Sequence, residues 1–329
     1  MHNNDPVLAF LGLTPEDMLD AVETCGIACD GRFLTMNSYE NRVYRVGVDD
    51  AEPVVAKFYR PERWSDEAIL EEHRFTCELA ALEIPVVPPM EDDNGDTLHH
   101  SGPFRFALYP YRGGRAMEPD NPDQLEMLGR FIGRIHAAGA AGIYQHRPAI
   151  DIENHLRQPG NQLIEMGFIA PHLENRWRGR IDALAEAVAG CQERVGEVRK
   201  IRLHGDMHLG NILWTEQGPH IVDFDDARNG PAVQDLWMFL SGDGDYLEAR
   251  IGDLLRGYDQ FFDFNRAEIR LVEVMRTLRM VYHAHWLASR WQDPTFPHAF
   301  PWFDSERYWE QLLNDLDDQQ ERIMDAASR

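Results

Sequence analysis

Hydrophobic and polar positions change rhythm along this chain. Up to residue 110, short alternating runs dominate, and 32–36, 42–48, 53–59 and 104–109 each read as a strand. In the third run Val54, Ala56 and Phe58 share one face, and Val55, Lys57 and Tyr59 share the other. Two helices interrupt these strands. Thr14-Pro15-Glu16-Asp17 supplies a hydroxyl cap, a first-turn proline and acids ahead of Met18, Leu19 and Val22, and Gly26 marks its end. Ser65-Asp66-Glu67 opens the second, which carries Ile69, Leu70, Phe75 and Leu79 and stops before Pro85. Tyr109-Pro110-Tyr111-Arg112-Gly113-Gly114 then breaks the pattern and predicts a hinge between residues 1–110 and 111–329.

Beyond the hinge the period lengthens. Leu125, Leu128, Ile132 and Ile135 mark an amphipathic helix over 121–138, and 175–195 predicts another. The tail reads as helix over 266–289 and again from 305. Its stripe Val272, Met275, Leu278 and Tyr282 predicts a face turned into the core. One β-like insertion remains. Ile212-Leu213-Trp214 and Ile221-Val222 form a hairpin around Glu216-Gln217-Gly218. A β-rich front and a helical rear make an α+β chain of two lobes.

Composition narrows the function. Of 329 residues, 32 are Lys or Arg and 56 are Asp or Glu, a net charge of −24 that repels nucleic acid and anionic membrane surfaces. No apolar run approaches the roughly 18–20 residues that span a bilayer. The opening Met1-His2-Asn3-Asn4-Asp5-Pro6 has neither a basic nor an apolar leader region, which argues for a cytoplasmic protein. Cys25, Cys29, Cys77 and Cys191 lack zinc spacing and read as free thiols.

The chemistry concentrates in residues 203–226. Asp206, Asn211 and Asp223 bring three oxygen-bearing side chains to one loop and the end of its hairpin. Asn211 precedes one strand and Asp223 follows its partner, so the two should face each other and hold Mg²⁺, which takes oxygen ligands. Asp206 stands free to receive a proton, which completes the equipment of phosphoryl transfer. His204 and His208 also suggest a binuclear metal hydrolase, but the further Asp-x-His and Gly-Asn-His ligand loops are absent. His204 reads as a loop anchor to the backbone or to a buried acid such as Asp235, which is itself structural.

His204-Gly205-Asp206-x-His208-x-x-Asn211 followed by Asp223 resembles the kinases of the aminoglycoside and choline phosphotransferase type. Segments 34–44, 55–64 and 225–237 resemble, within that family, a bacterial branch of stress-response serine/threonine kinases. The resemblance implies the bilobal protein-kinase fold and a cytoplasmic, monomeric enzyme that phosphorylates a protein Ser/Thr hydroxyl with ATP. It implies that Asp206 accepts the hydroxyl proton and that Asn211 and Asp223 bind Mg²⁺. Lys57 and Ser38 would then touch the ATP phosphates, with Lys57 oriented by a helical glutamate, Glu72 or its neighbour Glu71. The chain departs from the protein-kinase pattern at two places. Met36-Asn37-Ser38-Tyr39-Glu40-Asn41-Arg42 replaces the glycine-rich loop and should be stiffer. Asp223-Phe224-Asp225 replaces Asp-Phe-Gly, too close to Asp235 for a long activation segment. A small-alcohol kinase is the rival reading, with acceptors such as an amino-sugar, choline or homoserine and a pocket lined by Trp286, Trp291 and Trp302. A nucleotide-binding regulator without turnover is a further alternative.

Overall fold

The computed structural model describes residues 9–239 and 244–328. The opening residues 1–6, read above for a leader, lie outside that range. In chain order the elements are α1 (Pro15–Glu23), β1 (Cys29–Thr35), β2 (Arg42–Val48), β3 (Val54–Tyr59), α2 (Asp66–Ala81), β4 (His99–Ser101), β5 (Phe104–Pro110) and β6 (Arg115–Ala116). After them come α3 (Pro122–Gly139), α4 (Gln158–Glu165), α5 (Glu174–Val195), β7 (Ile201–Leu203), β8 (Ile212–Thr215), β9 (Gly218–Ile221) and β10 (Arg228–Gly230). The chain closes with α6 (Gly244–Tyr258), α7 (Val272–Ser289), α8 (Thr295–Ala299) and α9 (Glu306–Ser328).

The front half is an antiparallel sheet in the order β1-β2-β3-β5-β4. Its alternation has a packing cause. Ala56 and Phe58 of β3 bury under α1 against Met18, Val22, Val46 and Phe106, in one small core. Lys57 and Tyr59, on the opposite face, point toward α2 and the space between the halves. Thr14 caps α1 as read, since its side chain accepts the Asp17 N–H while Asp17 bonds back. Helix α2 starts at its Ser65 cap but does not belong only to the front half. Its Phe75 and Leu79 join the large core formed by α3, α5 and α7.

The rear half is helical around that core, which runs from Leu125 through Trp177 and Leu203 to Leu313. The predicted helix at 266 begins as a 3₁₀ segment, Arg266–Leu271, before α7 continues it. A single-turn π-helix, Glu153–Arg157, and α4 and α8 were not visible in the periodicity. The hairpin forms with Thr215 paired to Gly218, so Glu216 and Gln217 make a two-residue turn. Between residues 224 and 235 the chain is filled by short 3₁₀ turns and β10, which pairs with β7. No helix among the described residues is long and apolar enough to cross a membrane.

Candidate active site

One cavity of about 760 Å³ lies between the sheet and the helices. Ser38, Lys57, Glu72, Asp206, Asn211 and Asp223 all line it, although they come from four stretches of sequence. The segment Tyr109–Arg112, read as the hinge, closes one side.

The loop after β7 is held rigidly. Buried Asp235 accepts the backbone N–H of His204 at 2.8 Å and of Gly205 at 2.9 Å, and His136 Nε2 lies 3.2 Å away. That is how this buried carboxylate finds partners. The His204 ring bonds Val222 O at 2.9 Å through Nε2. A carbonyl only accepts, so Nε2 carries the hydrogen and Nδ1 is left to accept the Asp206 N–H at 3.3 Å. His204 is therefore a backbone anchor, and its link to Asp235 runs through its main chain. Gly205 has φ +86°, and a Cβ there would strike the Asp226 carbonyl. No other residue fits that corner.

Asp206 follows this corner. Its Oδ1 accepts from Arg279 Nη1 at 2.6 Å, and Oδ2 lies 3.4 Å from His208 Nε2. Burial alone would raise the carboxyl, but the His208 hydrogen bond and the Arg279 charge outweigh it and hold it below its ordinary value. Asn211 donates Nδ2 to Asp206 O at 2.9 Å, which leaves its amide oxygen as the atom available to the cavity. The Ile212–Ile221 register and the Val222 N to Asn211 O bond of 3.0 Å bring Asp223 beside it. Asp223 adopts left-handed backbone (φ +63°), a conformation Asp tolerates, and its side chain remains half exposed to the cavity. Asn211 and Asp223 thus offer hard oxygen donors alone, a set that fits Mg²⁺.

Lys57 is buried, with Nζ 2.9 Å from Asp223 Oδ1 and 3.3 Å from Asp225 Oδ1. Burial would lower its pKa, yet the Asp223 and Asp225 charges raise it well above normal. Glu72 is buried toward the cavity, but its carboxylate pairs with Arg147 at 3.1 Å and does not reach ion-pair distance of Lys57. Burial pushes it up to about 7 despite the Lys57 and Arg147 charges. Glu71 faces away and accepts the backbone N–H groups of Gln145 and His146 at 2.7 and 2.8 Å. The expected lysine–glutamate pair is replaced because Arg147, 75 residues on, occupies the glutamate first.

The loop before β2 is docked onto the C-terminal helices. Ser38 Oγ accepts Asn41 N–H at 3.3 Å, so the hydroxyl also shapes the loop. Glu40 binds Arg290 through two hydrogen bonds of 2.9 and 3.0 Å, and takes the Trp286 indole N–H and Arg60 as well. Arg60 continues to Asp293 at 3.1 Å, and Tyr39 packs 5.1 Å from Phe300. These contacts join regions some 250 residues apart, and nothing in the local pattern announces them.

Helix α7 forms the remaining wall. Met275, Leu278, Arg279, Tyr282, His283 and Trp286 recur at helical spacing and line the cavity. The stripe read as core is core at Val272, Met275 and Leu278, and Met275, Leu278 and Tyr282 also wall the cavity. Of the three tryptophans assigned to a pocket, only Trp286 lines it. Trp291 packs on Phe168 and Phe303, and Trp302 lies against Tyr308. Burial, with Arg279 nearby, pushes His283 down to about 4, so the imidazole is uncharged at neutral pH.

Known proteins resemble this chain in sequence and in fold. Stress response kinase A of Escherichia coli (strain K12) is 42% identical over 306 residues, covering 93% of this chain and 92% of that protein. Serine/threonine protein kinase RdoA of Salmonella typhimurium is 42% identical over 307 residues, with the same coverage. Among solved structures, an amicoumacin kinase in complex with AMP-PNP and Ca²⁺ superposes with a TM-score of 0.69 at 19% identity, over 92% of each chain. A spectinomycin phosphotransferase in complex with ADP gives 0.63 at 13% identity, over 94% of this chain and 98% of that one. These likenesses share the two-lobed α+β fold. Residues 34–272 match the phosphotransferase enzyme family, and the chain belongs to it.

Proposed function

We propose that this phosphotransferase moves the γ-phosphoryl group of ATP to the hydroxyl of a protein serine or threonine. The observation that supports it is the convergence of Lys57, Asp206, Asn211 and Asp223 on one cavity. The protein acceptor is favoured by the relative called a serine/threonine protein kinase, at 42% identity over nearly the whole chain. A role in a bacterial stress response follows from the name of the other. Four free cysteines accord with a reducing cytoplasm. In this reading 1–110 and 111–329 act as two lobes of a monomer, with ATP between them.

Asn211 and Asp223 would hold Mg²⁺, which supplies charge neutralisation on the phosphate oxygens. Lys57 and Ser38 face the phosphates. Asp206 Oδ2, the oxygen not taken by Arg279, receives the hydroxyl proton. Because that carboxyl is held below its ordinary value, it is a weak base before reaction; its work is alignment, with the proton accepted late. Most acceleration then comes from positioning and electrostatics.

A second reading, transfer to a small alcohol, is favoured by the enclosed wall of Met275, Leu278, Tyr282 and Trp286, which could seat a compact acceptor. Labelled ATP offered with a generic protein acceptor or with a panel of amino-sugars, choline and homoserine separates the two. Label in protein supports the first; label confined to a small alcohol replaces it with the second. No transfer, with ATP still bound, would favour a regulator.

A further inference from the structure

We propose that Asp225, rather than the glutamate of α2, is the carboxylate that positions Lys57 during phosphoryl transfer. This inference rests on reading the cavity as an ATP site. Three carboxylates surround the buried Lys57 ammonium, and their other commitments decide between them.

Asp223 is nearest at 2.9 Å, but its side chain is 53% exposed and faces the cavity. It is also the carboxylate best placed to hold a divalent cation. Once engaged there it divides its charge between that cation and Lys57. Glu72 is committed elsewhere. Arg147 grips it at 3.1 Å and is itself fixed by the carbonyls of Ala68, Asp225 and Ala227, at 2.7, 2.7 and 3.1 Å. This network ties α2 to the segment after Asp223 and gives Glu72 a bracing task.

Asp225 remains. Its Oδ1 is buried without a hydrogen-bond partner, and the cation it faces is Lys57, at 3.3 Å. Its Oδ2 is gripped from the other side by Arg63 Nη1 and by Asn41 Nδ2 at 3.1 Å. The carboxylate is therefore anchored by groups other than the lysine it orients. It cannot follow Lys57 if the ammonium is drawn toward phosphate, which a positioning group requires. The residue stands where Asp-Phe-Gly has a glycine, which offers no side chain for this task. Phe224 between the two acids packs 4.4 Å from His204 and 6.2 Å from Phe75 by ring centroids, fixing both carboxylates relative to the catalytic loop.

The test compares Asp225→Asn, Asp225→Glu and Glu72→Gln in the full chain for Mg²⁺-dependent ATP turnover, ATP affinity and Tm. Asp225→Asn should lower kcat about 100-fold while changing the KM for ATP by less than about fivefold, the signature of an interaction felt mainly in the transition state. Asp225→Glu should recover about tenfold of that loss, because it restores the charge. Glu72→Gln should lose about tenfold less than Asp225→Asn. Asp225→Asn within about threefold of wild type, or Glu72→Gln falling as far as it does, overturns the assignment. Should the asparagine variant fail to fold, the glutamate variant decides. If it folds and its kcat falls by more than about threefold with the KM for ATP changed less than about fivefold, the assignment stands; if its kcat stays within about threefold of wild type, the assignment fails. A wild-type chain that neither binds nor turns over ATP would instead remove the ATP-site reading, and this inference with it.

Discussion

The two sides of the cavity are built by opposite means. The side of Lys57, Asn211 and Asp223 is made of short strands and tight loops, with charges crossing 166 residues to meet. The opposite side is one face of a single helix, α7, carrying Met275, Leu278, Tyr282 and Trp286 with Arg279 among them. Phosphate chemistry needs fixed charges at fixed distances, which loops pinned by buried hydrogen bonds can supply. An acceptor wall needs shape, and a helix face can be altered residue by residue without moving the reacting groups. Asp206 belongs to both sides, since its loop comes from the first and its Arg279 partner from the second.

That shared residue should give the largest effect. Asp206→Ala is expected to cut transfer by about 10²–10⁴-fold with ATP affinity retained, measured by single-turnover transfer and calorimetric titration. Turnover near wild type would dissolve the distinction between the sides. Next comes the strut joining them. Glu40→Gln leaves Arg290, Arg60 and the Trp286 indole short of a buried acceptor and should destabilise the fold by about 3 kcal/mol in urea unfolding. An unchanged midpoint would mean the loop is not held by α7.

Arg279→Gln changes the α7 side and its bond to Asp206. It should reduce kcat/KM for the acceptor about tenfold, with the KM for ATP unmoved. Because the Arg279 charge helps hold the Asp206 carboxyl low, the acid limb of the pH–rate profile should also move to higher pH. A larger effect on ATP than on acceptor would reverse the assignment of sides.

The smallest effect concerns the floor beneath the catalytic loop. Burial pushes the Glu268 carboxyl up from 4.5 to about 7, and it accepts the Val233 N–H at 3.0 Å. A raised carboxyl binds more protons folded than unfolded across that interval, so stability falls as pH rises from about 4.5 to about 7. Glu268→Gln should flatten that slope in denaturation curves taken across the interval. An unaltered slope would exclude Glu268 as its source.

How much of this was legible differs residue by residue. Asp206, Asn211 and Asp223 were readable because their spacing is local and the hairpin between them has a clear pattern. Lys57 was readable from strand alternation, but its partner was not. Glu72 sits on the expected face of α2, and only the arrival of Arg147 from a later loop diverts it. The α7 stripe was legible as buried at Val272, Met275 and Leu278 but not as a cavity wall, because periodicity reports exclusion from water and the two look alike in that respect. Trp291 and Trp302 were assigned by residue type without geometry, and both pack elsewhere.

By itself the chain determined its longer strands, most of its long helices and the local triad of oxygen donors, since these depend on neighbours within a few residues. Only the tertiary structure decided which carboxylate Lys57 meets, which helix face walls the cavity and how Glu40 ties front to rear. Those choices depend on competition among distant charges for a few buried partners, and burial strengthens each pairing while excluding the alternatives.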